Sequence, residues 1–354
     1  MRERTLVAIG VVAASLSALA LTVPAPASES AVPAGVEVVT VASSGGRPLL
    51  GAVRDGKPIL LVDGAEVPLT SSGGYAEGSR WQSLAVDGVR VAAVSGERGG
   101  AHGNVRWTVW TGTTAGVKDE PQPFETFGGW GMGQLVAVTY VSGRPLVIGS
   151  WQSDTAGFDI AVWRREDPAS WQRAVMDPVM SSTRSALVQP AAATGFGDRL
   201  IIVGQTNDLL KNRVEATVWV RDDDIWSRYV LPSIADATAD SVSCDTNGCL
   251  IGGHTQDAAA GWSLGWDGTV VRQTLPTVHL NPDTLVIACR GRASVLVAAE
   301  SARTILLTDA SGTWQLTAPH PPPAGLPIAA TTTPDGLALV TRDGERSRLW
   351  TVRA

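Results

Sequence analysis

The chain has 354 residues, of which 28 are Lys or Arg and 34 are Asp or Glu, for a formal net charge of −6. Its basic residues form no stripe of the kind that tracks a phosphate backbone, so nucleic acid is excluded as an expected partner. Lysine is confined to Lys57, Lys118 and Lys211 amid abundant arginine and alanine, a usage that points to GC-rich bacterial coding.

At the N-terminus, Arg2 and Arg4 precede an apolar run over residues 6–21, and Pro24-Ala25-Pro26-Ala27-Ser28 follows. A basic start, a hydrophobic stretch and an Ala-x-Ala exit make up an export leader. Cutting after Ala27 is favoured, because cutting after Ala25 would leave Pro26 first. The apolar run is also shorter than the roughly 20 residues that span a bilayer, an uncleaved anchor being the alternative. The reading is therefore a leader over 1–27 and one domain over 28–354. It has no transmembrane segment after cleavage and is bound for the extracellular space or the cell envelope.

From residue 36 onward one pattern recurs, over 36–53, 83–96, 135–149, 191–204, 241–253, 285–299 and 328–341. A short run of Val, Ala, Thr and Ile meets a turn such as Asp87-Gly88, Ser142-Gly143 or Thr246-Asn247-Gly248, then a second apolar run ends near Gly, Ala or Ser. Gly and Asn accept the positive φ of hairpin turns at little cost. A third run follows, ending in Trp110, Trp163, Trp219, Trp266 or Trp350, with Ile59-Leu60-Leu61 and Ile305-Leu306-Leu307 standing in twice. A fourth run is clearest at Trp171, Trp226, 270–275 and Trp314.

Four strands recurring about every 42 to 55 residues specify an all-β chain, a seven-bladed β-propeller of four antiparallel strands per blade, with six or eight blades as alternatives. Small first-strand residues such as Ala85, Ala137, Ala192, Ala288 and Ala330 suit strands crowded at an axis, and the later tryptophans suit the widening wedge between blades. The seventh unit stops after its third strand. Residues 28–34 stand where they would supply its outermost strand, a three-stranded last blade being the alternative.

The Gly at the end of the second strand, with Trp on later strands, resembles kelch-type repeats, although the double glycine of that position occurs once, at Gly252-Gly253. The turn Asp309-Ala310-Ser311-Gly312-Thr313-Trp314 resembles the Asp-box of sialidase-type propellers, with its Gly one place late. The resemblance implies a propeller in which that turn stabilises the fold. It also implies, as an alternative function, a glycan-active hydrolase or lyase. Such enzymes use an arginine triad, a Tyr with a Glu partner and an acid Asp; only Tyr75, near Glu77 and Arg80, can be argued for any of these roles.

No catalytic constellation is recognisable, and the scattered His102, His254, His279 and His320 offer no metal-binding spacing. Cys244 and Cys249 flank one hairpin turn of an exported chain and are expected to form a disulfide, leaving Cys289 as a buried thiol; a reactive or intermolecular thiol, or a pairing between adjacent blades with Cys244, is the alternative. Asp154, Asp208 and Asp257 recur four or five residues beyond Gly149, Gly204 and Gly253. Each either holds its own turn or joins a calcium or ligand site, and no other cofactor is implied. With Tyr75, Trp81, His102, Trp130, Trp151 and His254 they define a candidate ligand face of loops. The favoured function is a secreted, monomeric, non-catalytic propeller that binds an extracellular protein or glycan.

Overall fold

The computed structural model describes residues 25–353, apart from 100–102, 168–169, 234, 282–283, 302 and 311. Among the described residues the strands form seven sheets. Blade 4 shows the unit plainly: Ala186–Phe196, Arg199–Asp208, Arg213–Asp222 and Ile225–Val230 pair in sequence, each antiparallel to the last. The remaining blades occupy residues 36–67, 80–119, 132–173, 238–272, 287–317 and 326–353. The seven-bladed reading with four antiparallel strands per blade therefore holds.

Six first strands carry a register shift, as between Leu135 and Ala137 or Ala239 and Ser241. A bulge adds local twist and re-aims the residues after it. The hydroxyls beyond these bulges reach the next blade. Ser83 Oγ accepts from Val138 N at 3.0 Å, Thr139 Oγ1 from Gly195 N at 2.8 Å and Ser241 Oγ from Ala288 N at 2.8 Å. Small inner residues thus relieve crowding at the axis and also stitch each blade to its neighbour.

Farther out, the wedge between blades is filled by Trp110, Trp163, Trp219 and Trp262, the largest fully buried side chains. Each lies in the third strand opposite an apolar residue of the second, with Trp219 facing Ile202 and Trp262 facing Ile251. Three of the indoles donate to the strap that arrives from the preceding blade: Trp163 to Thr126 O (2.9 Å), Trp219 to Val179 O (3.0 Å) and Trp262 to Pro232 O (2.9 Å). Trp266, read from the sequence as the ring of blade 5, lies instead in the turn beyond the third strand (Ala258–Leu264), stacked on Phe196 at 5.2 Å. Trp262 is the wedge residue, because the strand stops where Gly265 and Gly268 turn the chain.

The last blade borrows its outer strand from the N-terminus. Ala25–Ser30 runs antiparallel to Arg346–Arg353, with Ala27 opposite Val352 and Glu29 opposite Trp350. This strand begins three residues before the segment read from the sequence and ends before Pro33, which has no N–H to give a ladder. Ala25 is buried among Leu337, Trp350 and Val352, and Ala25 and Pro26 pair in parallel with Pro319 and His320. Cys244 and Cys249, directly opposite each other, form the expected disulfide, and Cys289 is buried with its thiol pushed up to about 12 by desolvation.

The indole-to-strap bond yields a test. Trp262→Phe, which keeps an aromatic ring but strips the donor from Pro232 O, should lower the unfolding free energy by about 1–3 kcal/mol. Trp262→Ala should cost about 3–5 kcal/mol by opening a cavity. Urea titrations followed by circular dichroism measure both, and Trp266→Ala should cost less than either Trp262 variant.

Candidate functional site

Seven first strands converge on a cavity of about 790 Å³ around the axis, toward the end where each first strand turns into its second. Its walls are Val41 to Ser43, Ala85, Thr139, Ala193, Ser243, Ala330 and their neighbours, with Tyr140, Phe196 and Asp87 the larger side chains. Desolvation pushes the Tyr140 phenol up to about 12, against the lowering effect of the Arg90 guanidinium, which lies over its ring at 5.6 Å. Among the wall hydroxyls, Thr139 holds Gly195 N as above and Ser243 accepts from Arg290 N of the next blade at 3.0 Å.

The opposite, loop face holds most of the residues singled out from the sequence, but not as one cluster. Trp81 is corrected outright: it is 2% exposed, packs against Trp110 at 5.5 Å, and donates to Ala52 O and Ile59 O at 3.0 Å. It is a wedge residue between blades 1 and 2, placed there because it opens the first strand of blade 2 rather than a loop. His102 lies outside the described residues. Arg80, proposed beside Tyr75, instead grips Glu37 of blade 1 with two bonds of 2.7 and 2.5 Å.

Two of the three acidic positions, Asp208 and Asp257, are engaged locally. Asp208 accepts from Leu210 N and Lys211 N at 3.1 and 3.0 Å and pairs with Lys211 Nζ at 2.8 Å, and the lysine bond holds its carboxyl below the usual range. Asp257 lies 3.6 Å from His279 Nδ1, and Asp154 is exposed within the field of Arg173. Among the described residues, the carboxylates close enough together to share a cation are Asp198, Asp222 and Asp223, at the turn end of blade 4. Arg199 already contacts Asp222 there at 2.8 Å. Their closeness is invisible in sequence because Asp198 sits in the first turn of the blade and the other two in its third.

What the loop face does assemble is an aromatic and guanidinium rim over blades 2 and 3. Tyr75, in the short 3-10 turn Gly74–Ala76, and Phe124, opening the helical turn Phe124–Phe127, are 43% and 55% exposed. Arg106 lies between them, its guanidinium 4.5 Å from the Phe124 ring centre and 5.9 Å from that of Tyr75. They wall a groove of about 430 Å³ with Trp107, Gln122 and Glu120. Glu120 is buried in its floor, accepting from Trp171 Nε1 at 2.7 Å and Thr111 Oγ1 at 2.5 Å and pairing with Arg165. Paired and bonded in this way, its charge makes a rigid support.

Beyond Phe124 the chain runs through Gly128, Gly129, Trp130 and Gly131. Trp130 is 90% exposed. Gly131 lies so close to the Trp151 indole that a Cβ would meet it at 2.5 Å, and Gln152 N bonds Gly131 O at 2.6 Å. Arg173 in turn covers Trp151 at 4.1 Å. Gly131 is therefore required by close approach and Gly129 by its positive φ of 84°, and the segment carries the rim from the Arg106 stack to the Arg173 stack. Sequence reading found Tyr75, Phe124, Trp130 and Trp151 here but missed Arg106 and Arg173, which belong to other segments of the chain than the rings they cover.

A closed ring of seven four-stranded blades, with a small-residue channel and one aromatic loop rim, defines this chain as a seven-bladed β-propeller. No family model matches it, and no curated protein matches it significantly. Solved structures share the fold. A chain of the mitotic checkpoint complex is 12% identical, aligns over 100% of this chain and 99% of its own length, and gives a TM-score of 0.55. The extracellular domain of a putative one-component system of B. thetaiotaomicron is 8% identical over 92% of this chain and 39% of its own, also at 0.55. Trypanosoma rangeli sialidase in complex with sialic acid is 10% identical over 95% of this chain, with a TM-score of 0.43, and this chain spans 58% of its length. At such identities the likeness is one of architecture.

His254 is half-buried on blade 5, its Nδ1 2.9 Å from Asp240 Oδ2, which also accepts from Val286 N at 3.2 Å on the way into blade 6. The bond to Asp240 holds the imidazole above its ordinary value, against the opposing effect of burial. A folded-state value above the unfolded one contributes stability that is complete below about pH 6.5 and lost as pH rises through the raised value. The thermal midpoint should therefore fall as pH rises above about 6.5, and fall less in His254→Asn. Parallel profiles for the two proteins would remove the pair as the cause.

Proposed function

We propose that this chain is an exported, non-catalytic binding propeller that takes an extracellular protein or a glycan on the loop-face rim of blades 2 and 3. The observation that carries this reading is the Tyr75, Arg106 and Phe124 stack, continued through Trp130 to Trp151 and Arg173. Aromatic and arginine side chains dominate binding hot spots, because they offer large contact areas with few rotors to freeze. A guanidinium flanked by two rings is partly ordered before a ligand arrives, which reduces the entropy lost on binding. A rim of exposed rings suits the apolar faces of sugars as well as protein side chains.

Export is supported by the leader pattern before Ser28 and by the Cys244 to Cys249 disulfide, which persists in oxidising compartments. Among the described residues no helix is long and apolar enough to cross a membrane. We read the turn in which Asp309 Oδ1 accepts from Gly312 N at 2.8 Å as an Asp-box-like element of the fold, remote from the rim.

The test is a screen of the purified chain against a glycan array and against isolated cell-wall material and its proteins. For any ligand captured, Phe124→Ala and Arg106→Ala should each weaken binding by about tenfold or more, and Trp130→Ala likewise, with melting temperatures unchanged. Binding that survives all three substitutions would move the site away from this rim.

A further inference from the structure

The three residues that precede the expected cut are used twice. In the leader pattern, Ala25 and Ala27 are the small pair that an export-leader peptidase reads ahead of Ser28. In the fold they are the inward-facing pair of the closing strand: Ala25 is 6% exposed and Ala27 packs against the same cluster, while Pro26 and Ser28 between and beyond them point outward. The side chains that identify the bond to the peptidase are the ones the folded protein hides.

The backbone is engaged as well. Ala27 and Ser28 pair with Val352 and Thr351, Ala25 and Pro26 pair with Pro319 and His320, and Ala25 N bonds Ala318 O at 3.3 Å. The strand thus has a partner on each side, and Glu29 ties it down further through Arg348 at 3.0 Å. A peptidase acts on a folded chain only through openings that free the backbone, so the rate of cutting tracks the population of the open state.

We infer that closing blade 7 with the strand Ala25–Ser30 excludes removal of the leader, so that the peptide bond between Ala27 and Ser28 is cut only while the ring is open. The reaction is hydrolysis: water adds across that amide, leaving a carboxylate on Ala27 and an ammonium on Ser28. Cutting during export, before the last blade exists, satisfies this order. A chain that folds first keeps its leader attached to the outer edge of blade 7. After cutting, Ser28, Glu29 and Ser30 still face Thr351, Trp350 and Leu349, so a shortened strand can close the ring, without the packing of Ala25. The inference rests on residues 1–27 being an export leader.

The experiment incubates the folded, full-length chain with a purified leader peptidase that cuts after Ala-x-Ala, beside a synthetic peptide of residues 18–32. A third substrate is the folded chain with a second Ala-Pro-Ala-Ser and a flexible Gly/Ser spacer inserted ahead of Ala25, which holds an identical motif clear of the sheet. Mass spectrometry locates each cut. The expected result is rapid cutting of the peptide and of the inserted copy, with the native bond cut at least about tenfold more slowly in both folded chains. Equal rates at the native bond in peptide and folded chain would overturn the exclusion. If neither the peptide nor the inserted copy is cut, the leader reading itself fails and the inference falls with it.

Discussion

The bond from a third-strand indole to the strap of the preceding blade is the interaction on which this propeller depends most visibly. Blades diverge from the axis, so the gap between neighbours widens outward and must be filled by something large. Tryptophan fills it, but brings an N–H that cannot be buried unpaired without a cost of about 1–3 kcal/mol. Thr126, Val179 and Pro232 supply the acceptors, each on the connection leading into the blade that carries the ring. One residue therefore sets both the spacing of two blades and the path of the chain between them. In blades 2 and 7 the acceptor comes from within the blade: Ser95 Oγ serves Trp110 and Thr341 Oγ1 serves Trp350.

The same strap path builds the rim. Because Trp163 holds Thr126 O, the helical turn Phe124–Phe127 is pinned over blade 3, and Phe127 packs against Trp163 and Trp171 at 5.7 and 6.2 Å. That leaves Phe124 outward against Arg106, and Gly131 after it free to lie on Trp151. An exposed aromatic surface is thus supported by buried aromatic packing one residue layer below. The axis is organised differently, with short hydroxyl side chains spent on blade-to-blade bonds.

Repetition made most of the fold legible. Turn chemistry such as Asp87-Gly88, small inner residues and the spacing of tryptophans state the blade seven times over, so that an error in one unit is corrected by the rest. The misplaced third-strand ring, Trp266 for Trp262, came from trusting position relative to a turn when strand register decides which face a residue takes. The site was less legible for a matching reason. Tyr75, Arg106 and Phe124 belong to three different segments, and nothing in their local sequence announces that they stack. Trp81 looked like a loop aromatic because a bulge starts immediately after it, masking the strand. His254 was identified as a rim residue, whereas its Asp240 partner, on the adjacent inner strand, was not.

The pairing of Ala25–Ser30 with Arg346–Arg353 also places the two ends of the fold side by side in one sheet. A ring sealed in this way has no unique starting point. Joining the existing ends by a short linker and opening the chain at another exposed turn, such as Asp87-Gly88, would preserve each strand's neighbours while moving the seam to a different blade. Seen as a circle, the molecule is an order of blades without a first member, and its termini mark only where the circle happens to be cut.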